Sequence, residues 1–325
     1  MSESDIQPNR REVLLSAAGV SALGLSGSFA WTSSPLAASV REKGYYSWKV
    51  GADIEVISIY DGIWNRDHDE NFIKGATVEE TKAALRKAGM DDAKVPIEFA
   101  YTILKTGGKT ILVDAGTGAQ LAPTAGLGAQ GMKNAGIAAE DIDTVIVSHF
   151  HPDHIFGLMQ KGTNAQVFPN AEIMVGEAEY KFWTDPGLIE KLPEGRRGLA
   201  QRIQATFPNW KNVSQYTFDQ ELAPGVRSVD TSGHTPGHAA FHLSSGDEQA
   251  MLLGDLMNLP ALFLANLDWQ LIFDGDKDKA TAVRKKVVAQ VVADDITVAG
   301  YHFGFPNSGK FKKDGDSHVF LPTGA

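Results

Sequence analysis

Apolar positions along the chain repeat with two periods, one of two residues and one near 3.6, and these sort most of it into strands and helices. Residues 54–62 (IEVISIYDG) are a β-branched run closed by Asp61-Gly62, which reads as a strand ending in a turn. Residues 100–116 (AYTILKTGGKTILVDAG) are two apolar runs around Gly107-Gly108, the mark of a hairpin. An acidic loop beginning at 139 leads into Thr144–Val147, a strand expected to be buried. Residues 171–183 (AEIMVGEAEYKFW) predict a strand and then a helix, and 225–245 with 249–257 predict three more strands separated by turns. Residues 277–295 carry apolar side chains at helical spacing, with Arg284-Lys285-Lys286 assigned to the solvated face, and 296–302 is the last clear strand. Strands recur in both halves, each half followed by helical pattern. That predicts an α/β fold whose chemistry sits at strand ends.

Composition narrows the chemistry. With 43% hydrophobic and 22% charged residues the chain of 325 is globular, not disordered. It has no cysteine, which excludes disulfides, thiolate zinc fingers, iron–sulfur clusters and a cysteine nucleophile. Any metal site must therefore use His, Asp and Glu. A balance of 30 basic against 40 acidic residues argues against a nucleic-acid partner. The opening NRREVLLSAAGVSALGLSGSFA pairs Arg10-Arg11 with a short, Gly- and Ser-diluted apolar run and a small-residue site at Ser28-Phe29-Ala30. It resembles a twin-arginine export signal, so residues 1–39 are expected to be an address and 40–325 a single domain, periplasmic or secreted. Cleavage is placed after Ala30 or within 36–39. The run is too short and too dilute for stable membrane insertion.

The densest chemistry is SHFHPDH, which places His149, His151, Asp153 and His154 in the turn after an apolar strand. Three imidazoles and a carboxylate within six residues are too polar for a core, and they are ligands that a borderline ion such as Zn²⁺ accepts. Alternation lets His149 and His151 face one way while Asp153 and His154 reach another, so one segment can feed two metal positions. GHTPGH adds His234 in a Gly-flanked turn, GDLM adds Asp255 after a buried strand, and GYHFG adds His302 in the same strand-end setting. A carboxylate at the end of a buried strand is costly unless paired or metal-bound. Taken singly, Asp255 and His302 read equally well as satisfied structural groups; the ordered set favours metal. His238 reads as support or strand-start packing, and His68, His242 and His318 as exposed or satisfied. No Gly-x-Ser-x-Gly elbow is present.

In this order the motifs resemble the metallo-β-lactamase superfamily, over Asp61 to His302. The resemblance implies an αββα sandwich with a dinuclear site at one edge. It places His149, His151 and His234 on one ion, Asp153, His154 and His302 on the other, and Asp255 across both. Asp114, in LVDAG, is implied to support the first motif without being a ligand. Within the superfamily the chain resembles methyl parathion hydrolases and their lactonase-like relatives: GYY near residue 44, HPDH followed by Gly157-Leu158, FPNA at 168–171 and Phe182-Trp183. Trp183 matches an aromatic of that family's substrate pocket. Leu121 stands where the family has a second pocket aromatic, and Asn258 where acyl-homoserine lactonases carry Tyr. Phe263, Leu264 and Trp269 are further pocket candidates, with core packing as their alternative.

The resemblance implies a hydrolase with two divalent ions per chain, Zn first and Mn, Co or Fe as options. A bridging hydroxide would cleave lactones, aryl esters or organophosphate triesters, with Asp255 and Asp153 as catalytic carboxylates. A β-lactamase or a glyoxalase-II-like thioesterase is the alternative reading. The bridging Asp255 counts against the first, and export away from glutathione against the second. A non-catalytic periplasmic metal-binding protein is a remote third. Partners are small-molecule substrates, with homodimerisation left open.

Overall fold

The structure is a computed structural model that describes residues 35–323. The export signal expected at 1–39 lies outside the described residues apart from 35–39, which begin the helix Pro35–Lys43. That helix buries Ala37 and Val40, and Arg41 pairs with the buried Glu98 at 2.6 Å.

The β-branched runs pair largely in chain order. One sheet holds β1 (Tyr45–Val50), β2 (Ile54–Arg66), β3 (Val95–Thr106), β4 (Lys109–Val113), β5 (Thr144–Val147), β6 (Glu172–Gly176) and β7 (Val213–Tyr216), side by side in that order. Its first four strands are antiparallel and the rest run parallel. The second sheet holds β8 (Glu221–Ala223), β9 (Val226–Asp230), β10 (Ala239–Ser245), β11 (Glu248–Leu252), β12 (Thr297–Ala299), β13 (Ser308–Asp314) and β14 (Ser317–Pro322), again as ordered neighbours. Only β11 and β12 pair in parallel there, joined by a crossover containing the helix Lys277–Ala293.

The two-residue period decides which layer each side chain enters. Ile111, Val113 and Ile146 pack with Phe241, Leu243 and Leu252 between the sheets. Their alternates Leu112, Val145 and Val147 join a second cluster with helical residues such as Met132, Ala200 and Ile203. Each fully buried aliphatic side chain contributes about 1.5–3 kcal/mol relative to exposure. The result is the αββα sandwich expected from the sequence.

Two local expectations need correction. Asp61-Gly62 is not a turn: β2 continues to Arg66, and Asp61 is an extra residue between the pairs Tyr60–Ala100 and Gly62–Phe99. This bulge swings its carboxylate inward, where it accepts from Thr117 N, Thr117 Oγ1 and Gly128 N. Arg284 is not solvated; it is 2% exposed, while Lys285 and Lys286 are exposed. Nor does the pattern announce the helix Glu194–Thr206 or the hairpin of β13 and β14.

Candidate metal centre

The ends of five strands from both sheets meet at one edge of the sandwich. Asp114 follows β4 and Ser148 to His154 follow β5, while His234 lies in the turn between β9 and β10. Asp255 follows β11, and His302 follows β12. Gly254 makes the close approach before Asp255 possible, since at φ +52° a Cβ there would sit 2.8 Å from His238 Nε2. All seven of the ligand candidates are brought together. They fall into two groups, His149, His151, His234 and Asp255 in one and Asp153, His154, Asp255 and His302 in the other, with ligand atoms within 4.8 Å of one another in each. Asp255 belongs to both. Its Oδ1 is 3.2 Å from His154 Nε2, and its Oδ2 is 3.3 Å from both His234 Nε2 and His302 Nε2.

Hydrogen bonds on the far side of three of the rings fix which nitrogen faces the centre. His154 Nδ1 donates to Asp114 Oδ2 at 2.8 Å, His234 Nδ1 to Asp274 Oδ1 at 2.8 Å, and His302 Nδ1 to the Glu98 carbonyl at 2.8 Å. Asp114, held at φ +58°, also accepts from Ser148 N and Ser148 Oγ, so it fastens the start of the His cluster. His238 is fully buried and touches the site through the backbone: its Nε2 accepts from Asp255 N at 3.0 Å while Nδ1 faces Thr231 Oγ1 at 2.8 Å. Burial and the neighbouring His234 push its pKa down to about 3, which keeps Nε2 an acceptor.

Burial, reinforced by neighbouring imidazoles, holds His149 and His151 well below the usual histidine range. Burial opposes the charged form of His154 too, but Asp255, Asp153 and Asp114 outweigh it and lift His154 well above. His234, likewise buried, is raised to about 9 by its hydrogen bonds to Asp255 and Asp274. For His302 burial is again outweighed by Asp255 and Asp153. Asp255, which burial alone would raise, is held well below by His302 and His154. The carboxylates packed here demand positive charge at the centre.

A pair of divalent cations fits that demand. His149 Nε2, His154 Nε2 and Asp255 Oδ1 are buried with no hydrogen-bond partner, a costly state for polar atoms that nothing ligates. His151 Nδ1 and His234 Nε2 converge to 2.9 Å. The donor set, imidazole nitrogen and carboxylate oxygen without thiolate, suits zinc and its neighbours in the first transition row.

Other sequence candidates are distributed unevenly. The Trp183 ring lies 6.4 Å from that of His151, and its Nε1 donates to Glu179. Leu121 is 45% exposed on the loop after Asp114. Phe263 and Leu264 are core residues at 1% exposure, and the Arg284 guanidinium lies over the Phe263 ring at 5.2 Å. Asn258 is also buried, its Oδ1 accepting from Leu259 N, so Phe263 and Asn258 are not open pocket surface. Trp269 is half-buried and uses its carbonyl to accept from Arg284. His68 meets the Asp92 carbonyl, and His242 meets Gln249.

Sequence reasoning missed four supports. Asp274 orients His234, Glu179 accepts from the loops on both sides of the first group, and Arg284 binds Asp274 at 3.3 Å. Tyr301 stacks on His154 at 3.8 Å and donates to the Asp153 carbonyl. Only Arg284 carried a readable signal, because 280, 284, 287, 288 and 291 form one buried helical stripe.

Comparison with known proteins agrees with this geometry. A family model described as "Metallo-beta-lactamase superfamily" matches residues 99–294. Hydroxyacylglutathione hydrolase of Ruegeria pomeroyi is 30% identical over 205 residues, 63% of this chain and 62% of that protein. N-acyl homoserine lactonase of a Bacillus species is 32% identical over 114 residues, 35% of this chain and 38% of its own length. The chain thus spans less than two thirds of each of these relatives. Among solved structures, AidC, a dizinc quorum-quenching lactonase in complex with a product, superposes with a TM-score of 0.81 at 27% identity, covering 87% of this chain and 98% of that one. AbOPH, described as a hydrolase in the β-lactamase superfamily, gives 0.79 at 26% identity over 86% and 97%.

Proposed function

The chain belongs to the metallo-β-lactamase superfamily, and on that premise we propose that it is a dinuclear metal hydrolase that opens lactones and related esters. The observation that carries the reading is the pair of ligand groups sharing Asp255, with three of their buried atoms lacking a hydrogen-bond partner. The lactone preference draws support from the likeness to the dizinc lactonase across 87% of the chain. Aryl esters and organophosphate triesters fall within the same proposal, because one centre suits all three leaving groups.

Bound divalent ions supply Lewis-acid polarisation of the substrate oxygen and a water that ionises near neutral pH. The chain's own residues do the rest. Asp255, whose Oδ2 lies between His234 and His302 while Oδ1 faces His154, would be shared by the two sites and set the spacing between them. Asp153 is the more open carboxylate, at 16% side-chain exposure, and faces His302 and His154 from the solvent side. Asp114, Asp274 and the Glu98 carbonyl hold three imidazoles in the tautomer that leaves Nε2 toward the centre. Trp183, itself buried at 5% exposure, packs edge-on beside His151, and Leu121 lies on the exposed loop that follows Asp114. Neither a serine nor a cysteine nucleophile is required. We also propose that residues 1–39 direct export, which places the activity in the periplasm or outside the cell.

A second reading, a glutathione thioesterase, is favoured by the 30% identity to hydroxyacylglutathione hydrolase. A panel separates the two: acyl-homoserine lactones, δ-lactones, p-nitrophenyl esters, methyl parathion, a cephalosporin and S-lactoylglutathione, assayed on one preparation. Turnover of lactones or aryl esters is expected. Turnover restricted to the thioester or to the cephalosporin refutes the proposal.

A further inference from the structure

One side chain outside the seven ties together the two loops that carry the first histidine group. Glu179, on the helix Glu177–Thr184, is fully buried, and each of its oxygens accepts two hydrogen bonds. Its Oε1 takes Phe150 N at 2.9 Å and Trp183 Nε1 at 2.7 Å. Its Oε2 takes Thr235 Oγ1 at 2.7 Å and Gly237 N at 2.9 Å. Phe150 stands between His149 and His151, and Thr235 follows His234. The first loop belongs to one sheet and the second to the other. The approach is close: a Cβ on Gly237 would lie 2.1 Å from Glu179 N, so glycine is required there.

We propose that Glu179 is the positioning residue of the first ion site, holding His149, His151 and His234 in mutual register across the two sheets and fixing the buried Trp183 ring beside them. The inference rests on the dinuclear reading above. The second group has separate supports, namely Asp114 on His154, the Glu98 carbonyl on His302, and Tyr301 on the Asp153 carbonyl. None of the four Glu179 hydrogen bonds reaches that group, so losing them acts on one site and spares the other. Three of the four partners are N–H groups that can only donate, and the fourth is a hydroxyl. Whichever way a glutamine turns its NH₂, at least one of those N–H groups, Gly237 N or the pair Phe150 N and Trp183 Nε1, is left without an acceptor.

The test reads metal, not turnover. Wild-type protein, Glu179→Gln and Thr235→Val are loaded with cobalt(II), challenged with graded chelator, and followed by metal analysis and visible absorption. His234→Ala and His302→Ala supply reference spectra for loss of the first and second ion. Glu179→Gln is expected to hold its first ion about 10–100-fold more weakly and its second as in wild type, since losing a support behind a ligand typically costs that much. The absorption it loses should match that lost in His234→Ala. Thr235→Val, which leaves the carboxylate three donors, should weaken the same ion about tenfold, and it decides the matter if Glu179→Gln does not fold. First-ion affinity unchanged in the variants, or equal weakening of both ions, overturns the inference. Wild-type protein that binds fewer than two ions overturns the dinuclear reading and this inference with it.

Discussion

Arg284 and Lys285 are adjacent in sequence and predicted to differ sharply in what they contribute. Arg284 is 2% exposed and donates to four groups: the Leu256 carbonyl at 3.2 Å, the Leu267 carbonyl at 3.3 Å, the Trp269 carbonyl at 2.6 Å and Asp274 Oδ2 at 3.3 Å. It thereby joins the segment after Asp255 to the carboxylate that orients His234. Arg284→Ala leaves Asp274 a buried charge without its cation and strips three carbonyls of a donor. Removing one partner of a buried ion pair costs about 3–5 kcal/mol, a large share of a stability that is about 5–15 kcal/mol in all. Lys285 pairs with Asp268 at the surface, where both side chains are well exposed, and such a pair contributes about 0–1 kcal/mol. Urea unfolding of the metal-loaded protein, followed by tryptophan fluorescence, measures both. Arg284→Ala should lower the midpoint by the equivalent of about 3 kcal/mol or more, and Lys285→Ala should leave it nearly unchanged. An Arg284→Ala loss below about 1 kcal/mol would show that the guanidinium network is not holding the segment.

Asp255→Ala should lose both ions and slow hydrolysis about a thousand-fold or more, as several kcal/mol of transition-state stabilisation go with them; a variant that keeps both ions shows the shared ligand is misassigned. In ion-free protein the hydrogen bonds to Asp255 and Asp274 outweigh burial and raise His234 to about 9, so that ring holds a proton at neutral pH that it must release when metal enters, and His154 and His302 are raised in the same direction. Calorimetry in buffers of different ionisation enthalpy should show that release, with affinity rising with pH up to about 9, and binding without proton release at neutral pH contradicts the raised His234. By the same linkage, the raised His234 stabilises the ion-free fold below about pH 6.5 and stops doing so as pH rises through about 9. Leu121→Phe should shift preference toward aromatic leaving groups by about two- to tenfold, the worth of one aromatic contact; an unchanged profile removes Leu121 from the pocket.

Much of this centre was legible because its chemistry is local. His149, His151, Asp153 and His154 lie within one turn, and polar residues that dense after a buried strand would be costly to bury without an ion to ligate. Asp255 and His302 follow a different regularity, each coming after a short apolar run, and His234 sits in a Gly-flanked turn; strand ends are where such folds gather side chains. The supports were hidden for a physical reason. Asp274 meets His234 from 40 residues away and Glu179 meets Gly237 from 58, so no local pattern distinguishes them from surface acids. Arg284 misleads because a basic triplet suggests a solvated face, although its place on the stripe with Val287, Val288 and Val291 points inward. Asp61 misleads because Asp-Gly favours turns, and only the pairing of β2 with β3 shows a bulge. The pocket was least legible, since Phe263 and Asn258 look like ligand-facing residues in sequence and are core in the fold.

On the reading proposed above, two ions held by two groups sharing Asp255 perform the hydrolysis. Zinc titration of ion-free protein, with lactone opening followed at each step, measures how many ions are needed. Activity should be absent without metal and rise to a plateau at two equivalents per chain. A plateau at one equivalent, or lactone opening that survives complete removal of metal, would rule out two-ion hydrolysis.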